Sequence, residues 1–288
     1  MTVLVAVGDL VEDVVVVLGG PVNAASDTSA RISRRRGGSA ANVAVAAAGQ
    51  GGSARFVGQV GVDAVAETLV ADLAARGVDV AFVRRAGRTA TIVVLVDETG
   101  ERTMLVDRGS ARDLDGADGA WLDGASVLHL TLYSLLDEPI ASTSRMLAVM
   151  AAEREIPVSV DVSSVALIAE AGPAAVIELV ASLHPAVVFA NADEAAALGL
   201  SASGVPERLP AIVIVKRGAD PSSVHLRDGT VVDVPSLPLD RPVDTTAAGD
   251  TFAAGFLTHD GWRHDPVAAC AAGHRAAHAL LTARLGDR

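Results

Sequence analysis

The chain has 288 residues, half of them apolar but only 3% aromatic, with a formal net charge of −12. That length supplies a substantial core and fits one large α/β domain or two smaller ones, with an interior built from Ala, Val and Leu. Thirty-five acids against 23 bases argue against a nucleic-acid partner, which would require a basic stripe, but leave room for a local anion site.

Residues 3–7 are a short apolar run ending at Gly8-Asp9, which predicts a buried parallel strand with a functional C-terminal end. A second strand is expected over 14–18, with 28–36 as its partner. Gly37-Gly38 breaks the chain before a helix over 39–48. A strand over 54–60 is followed by a helix that Asp63 caps, with Val65, Leu69 and Leu73 on one face and Gly77 as its stop. Residues 91–97 and 102–107 flank Glu98-Thr99-Gly100 and predict a hairpin. Strands follow over 126–132, 157–161, 186–190 and 211–215, with helices near 139–154 and 172–183. Residues 199–210 are the clearest loop, 223–234 a hairpin around Asp228-Gly229, and helices near 249–259 and 266–284 close the chain. This alternation predicts a mainly parallel sheet with helices on both faces. The strands at 14–18, 28–36, 91–97 and 102–107 break the rhythm and are expected to form a small separate sheet over a site.

Ligands of open parallel sheets gather at the carboxyl ends of strands. Asp9, Asp13, Asp161, Asn191, Lys216 and the 244–250 turn fall there. The turn is the most informative stretch. Asp244, Thr245 and Thr246 are turn formers; Ala247, Ala248 and Gly249 are small; Asp250 opens a helix-compatible run. Small residues let a phosphate approach the main chain, and the first N–H groups of a helix lack internal partners and carry the positive end of its dipole. A carboxylate beside that anion site needs a reason to be there, and a general base for an attacking hydroxyl is one. The plainer alternative is a helix cap. Phosphoryl transfer, with Asp250 as base and the 247–250 backbone as anion hole, is the reading adopted. Neither a Gly-x-x-x-x-Gly-Lys loop nor a Gly-x-Gly-x-x-Gly loop occurs.

Asp244-Thr245-Thr246-Ala247-Ala248-Gly249-Asp250 resembles the C-terminal signature of the ribokinase-like (PfkB) family of carbohydrate kinases. Gly8 to Asp13 resembles its first-strand motif, Gly37-Gly38-Ser39-Ala40-Ala41-Asn42 its N-terminal signature, and Asn191-Ala192-Asp193-Glu194 its Asn-x-x-Glu motif. The resemblance implies a single ribokinase-like α/β domain over 1–288, with lid strands within about 13–36 and 88–108. It implies ATP-dependent phosphorylation of a sugar or sugar-like hydroxyl. Asp13, Gly37, Gly38 and Asn42 would then meet the sugar. Asn191 would sit near phosphate, and Glu194 would orient water on Mg²⁺. A K⁺ ion near Asp244 is a further implication. Lys216 and Gly218 would border the nucleotide, although Ala219 to Ser223 replace a Gly-rich turn there. His274 would touch the base. The i,i+4 pair His274 and His278 matches a zinc spacing, but no third ligand is evident. Tyr133, taken as the end of the 126–132 strand, and Arg108 are candidate substrate contacts; a core tyrosine and a solvent-exposed arginine are the alternatives. Val11 and Ser39 stand where ribokinases usually have Asn and often Lys. A nucleoside kinase, a vitamin-type kinase and a catalytically silent sugar-binding regulator remain competing readings. Cys270, the only cysteine, fits a reducing cytosol, and the start at Met1 lacks a signal-peptide pattern. No membrane-spanning run is present. Lid strands could pair two subunits into a homodimer.

Overall fold

The computed structural model describes residues 3–200, 209, 211–241 and 243–286. β1 (Val3–Val7) leads into β2 (Val11–Leu18) and β3 (Ala30–Gly37), then α1 (Ser39–Gly49), β4 (Ser53–Val60) and α2 (Ala64–Ala75). Two short strands, β5 (Val78–Asp79) and β6 (Val83–Arg85), precede the hairpin of β7 (Ala90–Val96) and β8 (Arg102–Asp107). β9 (Ala125–Thr131), α3 (Tyr133–Leu136), α4 (Ile140–Glu153) and β10 (Val158–Asp161) follow. Then come α5 (Val165–Ala171), α6 (Pro173–Ser182), β11 (Val187–Asn191) and α7 (Ala192–Ala197). β12 (Ile212–Lys216), β13 (Ser222–His225), β14 (Val231–Val234), α8 (Ala248–Leu257) and α9 (Pro266–Gly286) complete the order.

The main sheet runs β14-β13-β12-β11-β10-β9-β1-β4-β5, with β6 also on β4. β12 through β4 are mutually parallel, and β13 and β14 add an antiparallel edge. The continuous apolar run of β1 is explained by helices on both faces. Leu4 and Ala6 pack with residues of α1, α2, α8 and α9, including Phe256 and Cys270. Val5 and Val7 pack with residues of α4 and α6, such as Leu147 and Val176. Few aromatics are needed: Phe189 meets Phe256 edge-on at 5.2 Å, and Phe256 meets Trp262 at 5.8 Å.

The strands that broke the alternation form a separate sheet, ordered β3-β2-β7-β8. β2 pairs antiparallel with β3 and parallel with β7, and β7 pairs antiparallel with β8. Its buried apolar residues are few: Val11 and Ala90, which pack with Ala111 just past β8, and Val94. β8 is exposed throughout.

One expectation needs correction, and some short elements were not anticipated. The strand expected to reach 132 ends at Thr131, and Tyr133 opens α3 rather than ending a strand. The helix expected over 172–183 is α6, and a separate α5 precedes it across Gly172, whose φ of 87° breaks the run. β5 and β6 had no counterpart in the sequence reading. The expected loop over 199–210 lies mostly outside the described residues. Among the described residues no single helix is long and apolar enough to cross a membrane.

Candidate active site

The carboxyl ends of the parallel strands, the start of α8 and one face of the small sheet enclose a cleft of about 1100 Å³. At its centre is the first turn of α8. Ala247, the N-cap, holds φ at 60°, a left-handed conformation that costs an alanine about 1–3 kcal/mol. Thr251 N–H donates to the Ala247 carbonyl (2.9 Å), and Ala248 N–H donates to the Thr245 carbonyl (3.0 Å). Among the described residues, the N–H groups of Ala247, Gly249 and Asp250 have no protein partner. They are the unpaired donors of a helix start.

Asp250 is half-buried in this turn. Ser39 Oγ donates to its Oδ1 at 2.6 Å, and Asn42 Nδ2 donates to its Oδ2 at 2.8 Å. Asn42 is oriented in turn by Arg36, whose Nη1 donates to Asn42 Oδ1 at 2.5 Å. Arg36 is anchored on Asp72 of α2 at 2.9 Å. Burial pushes the Asp250 carboxyl up to about 6, against the hydrogen bonds from Ser39 and Asn42; Asp161 adds to the rise and Lys216 opposes it.

Lys216 ends β12 and donates to Asp161 Oδ2 at the end of β10 (2.7 Å). Burial works against its charge, but Asp161, Glu194 and Asp250 together hold its pKa above the usual lysine value. Gly249 passes close by: a Cβ added there would lie 3.3 Å from Lys216 Nζ. Glu194 and Asn191 form a capping box at the start of α7. Asn191 donates to both Glu194 oxygens, from its N–H at 2.7 Å and from Nδ2 at 2.8 Å. Burial, then Asp161, pushes Glu194 up to about 7.

The paired glycines answer to their own chain. A Cβ on Gly37 would lie 2.3 Å from Asp13 Oδ1, and one on Gly38 would lie 2.1 Å from the Asp9 carbonyl. Gly38 also holds φ at 98°, which favours glycine. Burial raises the Asp13 carboxyl above the usual range, although Arg35 and Arg36 oppose this. Arg108 is not a solvent-exposed arginine. Its Nη2 donates to Asp9 Oδ1 (2.8 Å) and to the Tyr133 carbonyl (3.0 Å), and its Nη1 donates to Asp137. Its guanidinium lies 5.6 Å from the centre of the Tyr133 ring.

Of the residues singled out from the sequence, Asp13, Gly38, Asn42, Arg108, Tyr133, Asn191, Glu194, Lys216, Gly218, His274 and 247–250 all line the cleft. Gly37 backs Asp13 instead. Asp244 sits behind the turn, held by Thr246 N–H (2.9 Å) and two arginines. Although burial opposes it, hydrogen bonds from Thr246, Arg102 and Arg35 hold the Asp244 carboxyl well below the usual range. His274 packs edge-on to Phe252 at 5.0 Å, and burial lowers its pKa. His278 donates to the Pro238 carbonyl at 3.1 Å. The sequence reading missed Ser39 as a partner of Asp250, and Arg35, Arg102 and Arg284 about the 244–246 turn. Only Ser39, directly after the glycine pair, carried a local signal.

A mainly parallel sheet with a small separate sheet over its carboxyl edge is the ribokinase-like fold. The chain matches the pfkB family carbohydrate kinases over residues 1–286 and belongs to that family. It is 36% identical over 230 residues to an ATP-dependent ribose-1-phosphate kinase of Halopiger xanaduensis, covering 77% of this chain and 72% of that one. A fructokinase of Klebsiella pneumoniae is 31% identical over 250 residues, covering 80% and 78%. The crystal structure of adenosine kinase from Sinorhizobium meliloti superposes with a TM-score of 0.80 at 25% identity, covering 98% of this chain and 94% of that one.

Proposed function

We propose that the chain transfers the γ-phosphoryl group of ATP to a hydroxyl of a sugar or sugar-like molecule, with Asp250 as the general base. The observation that carries this reading is the half-buried Asp250 carboxyl, which burial raises to about 6, beside three unpaired N–H groups. A carboxyl titrating near 6 is ionised at neutral pH yet basic enough to take a hydroxyl proton. Ser39 and Asn42 fix its orientation while leaving lone pairs for the acceptor hydroxyl. The N–H groups of Ala247, Gly249 and Asp250 stabilise charge on the phosphoryl oxygens in flight, and the Lys216 ammonium adds a positive charge nearby.

Asp13 holds one sugar hydroxyl, and Asn42, which also donates to the base, holds another beside it. The donor set fits a hydrated Mg²⁺, which takes one or two carboxylates together with substrate phosphates: Glu194 is buried, faces the cleft and is fixed by Asn191. When bound, Mg²⁺ offsets negative charge on the phosphates. The small sheet acts as a lid subdomain of a single kinase domain. Its closure keeps water, a competing acceptor, away from the phosphoryl group.

A second reading, a nucleoside acceptor, is favoured by the aliphatic residues that the small sheet turns into the cleft. Val11, Ile92, Val94, Met104 and Val106 would cover a flat base. A coupled assay of ADP release with Mg-ATP and a panel of sugars, sugar acids and nucleosides tests both readings. One acceptor is expected to raise ADP release in step with phosphorylated product, and its kcat/KM separates sugar from nucleoside. If no acceptor raises the rate, the kinase reading fails and the sugar-binding regulator takes its place.

A further inference from the structure

Three guanidinium groups converge on the turn that leads into α8. Arg35 on β3 donates from Nη1 to Asp244 Oδ2 at 3.0 Å, and Arg102 on β8 donates from Nη2 to Asp244 Oδ1 at 2.7 Å. Arg284, in the last turns of α9, donates from a single nitrogen, Nη1, to the main-chain carbonyls of Asp244 and Thr246, both at 2.7 Å. Two carbonyls aimed at one positive group, next to a carboxylate, form an oxygen-lined place for a monovalent cation. The residues do not fit the K⁺ ion implied near Asp244, because guanidinium groups already hold every one of these oxygens.

We propose that Arg284 stands in for that cation, as a built-in positioning residue that makes the kinase independent of K⁺. The Thr246 carbonyl is the acceptor that Asp250 N–H would take if the helix continued backwards by one residue. By holding this carbonyl, Arg284 keeps Asp250 N–H free to face the cleft. It also fixes the turn on which the strained Ala247 depends.

The activity arm of the test rests on the kinase reading; the melting arm does not. Wild type is compared in potassium chloride and tetramethylammonium chloride at equal ionic strength. Both turnover and melting temperature are expected to be unchanged. Arg284→Ala is expected to lose about a hundredfold in turnover in tetramethylammonium, the scale of a misplaced reacting group. Adding K⁺, or guanidinium below denaturing levels, should restore part of that loss and raise the variant's melting temperature. A wild type whose turnover or melting depends on K⁺ overturns the proposal. So does an Arg284→Ala enzyme with full turnover, or one whose loss neither cation repairs, since that would mark a purely structural arginine. If the variant does not fold, the wild-type comparison decides alone, and its melting arm decides even if no acceptor is found.

Discussion

Replacing Asp250 with Asn removes one charge and almost no volume. The new amide can still be accommodated: Ser39 Oγ can turn and accept from its nitrogen, while Asn42 Nδ2 continues to donate to its oxygen. The catalytic cost should be large, because a general base contributes about 10²–10⁴-fold. The stability change has the opposite sign. The carboxyl rises from 3.8 to about 6 on folding. Between these values the folded chain binds more protons than the unfolded chain, so stability falls as pH rises through that window. The penalty of keeping the charge is about 3 kcal/mol above pH 6, at about 1.4 kcal/mol per unit. Asp250→Asn should therefore melt like wild type near pH 4 and about 5 °C higher at neutral pH. Thermal melts across that range, coupled turnover assays and calorimetric titration with ATP check the three parts. A turnover loss below about a hundredfold, or a melting difference that is absent or negative at neutral pH, refutes the assignment of a desolvated base. ATP binding should be largely kept.

Gly38→Ala should cost more than about 3 kcal/mol, because its Cβ would lie 2.1 Å from the Asp9 carbonyl at a backbone angle that disfavours any side chain; denaturant midpoints measure it. Lys216→Met leaves buried Asp161 without its lysine partner, although Ser163 still donates to its other oxygen, and should cost about 3–5 kcal/mol. Adding Asp161→Asn should recover much of that loss in the same unfolding assay. Asp244→Asn removes charged hydrogen bonds from Arg35 and Arg102 and should cost about 1.5–3 kcal/mol at neutral pH. Because folding depresses the Asp244 pKa, its stabilisation is present above the unfolded value of 3.8 and is lost only as pH falls below it. The deficit of this variant should therefore persist down to about pH 4 and shrink in stronger acid, as read by melting curves.

The main sheet was legible because its strands are short, continuous apolar runs closed by a polar residue, as at Asp161, Asn191 and Lys216. The small sheet was legible by exception, since its strands interrupt the strand–helix alternation. β5 and β6 are two and three residues long, too short to show a period, and exist because the β4 edge pairs them. α5 was hidden by its neighbour: apart from Gly172 and Pro173 the apolar pattern runs on into α6. Tyr133 was misplaced because nothing local announces a four-residue helix after β9. In the site, residues at turns and helix starts, such as Gly38, Asn191 and Asp250, carry local signals. The arginines do not. Arg35 reaches Asp244 across 209 positions, and a long flexible cation gives no spacing from which such a partner could be read.

Cys270 lies in the core beneath β1 with no exposed surface, and burial raises its thiol to about 12. A thiol so seldom ionised is a poor nucleophile, so the native chain should ignore alkylating reagents. Two practical uses follow for the bench. Alkylation of the wild type becomes a timer for global opening, and a single cysteine engineered onto the rim of the small sheet can carry a fluorophore without a competing label.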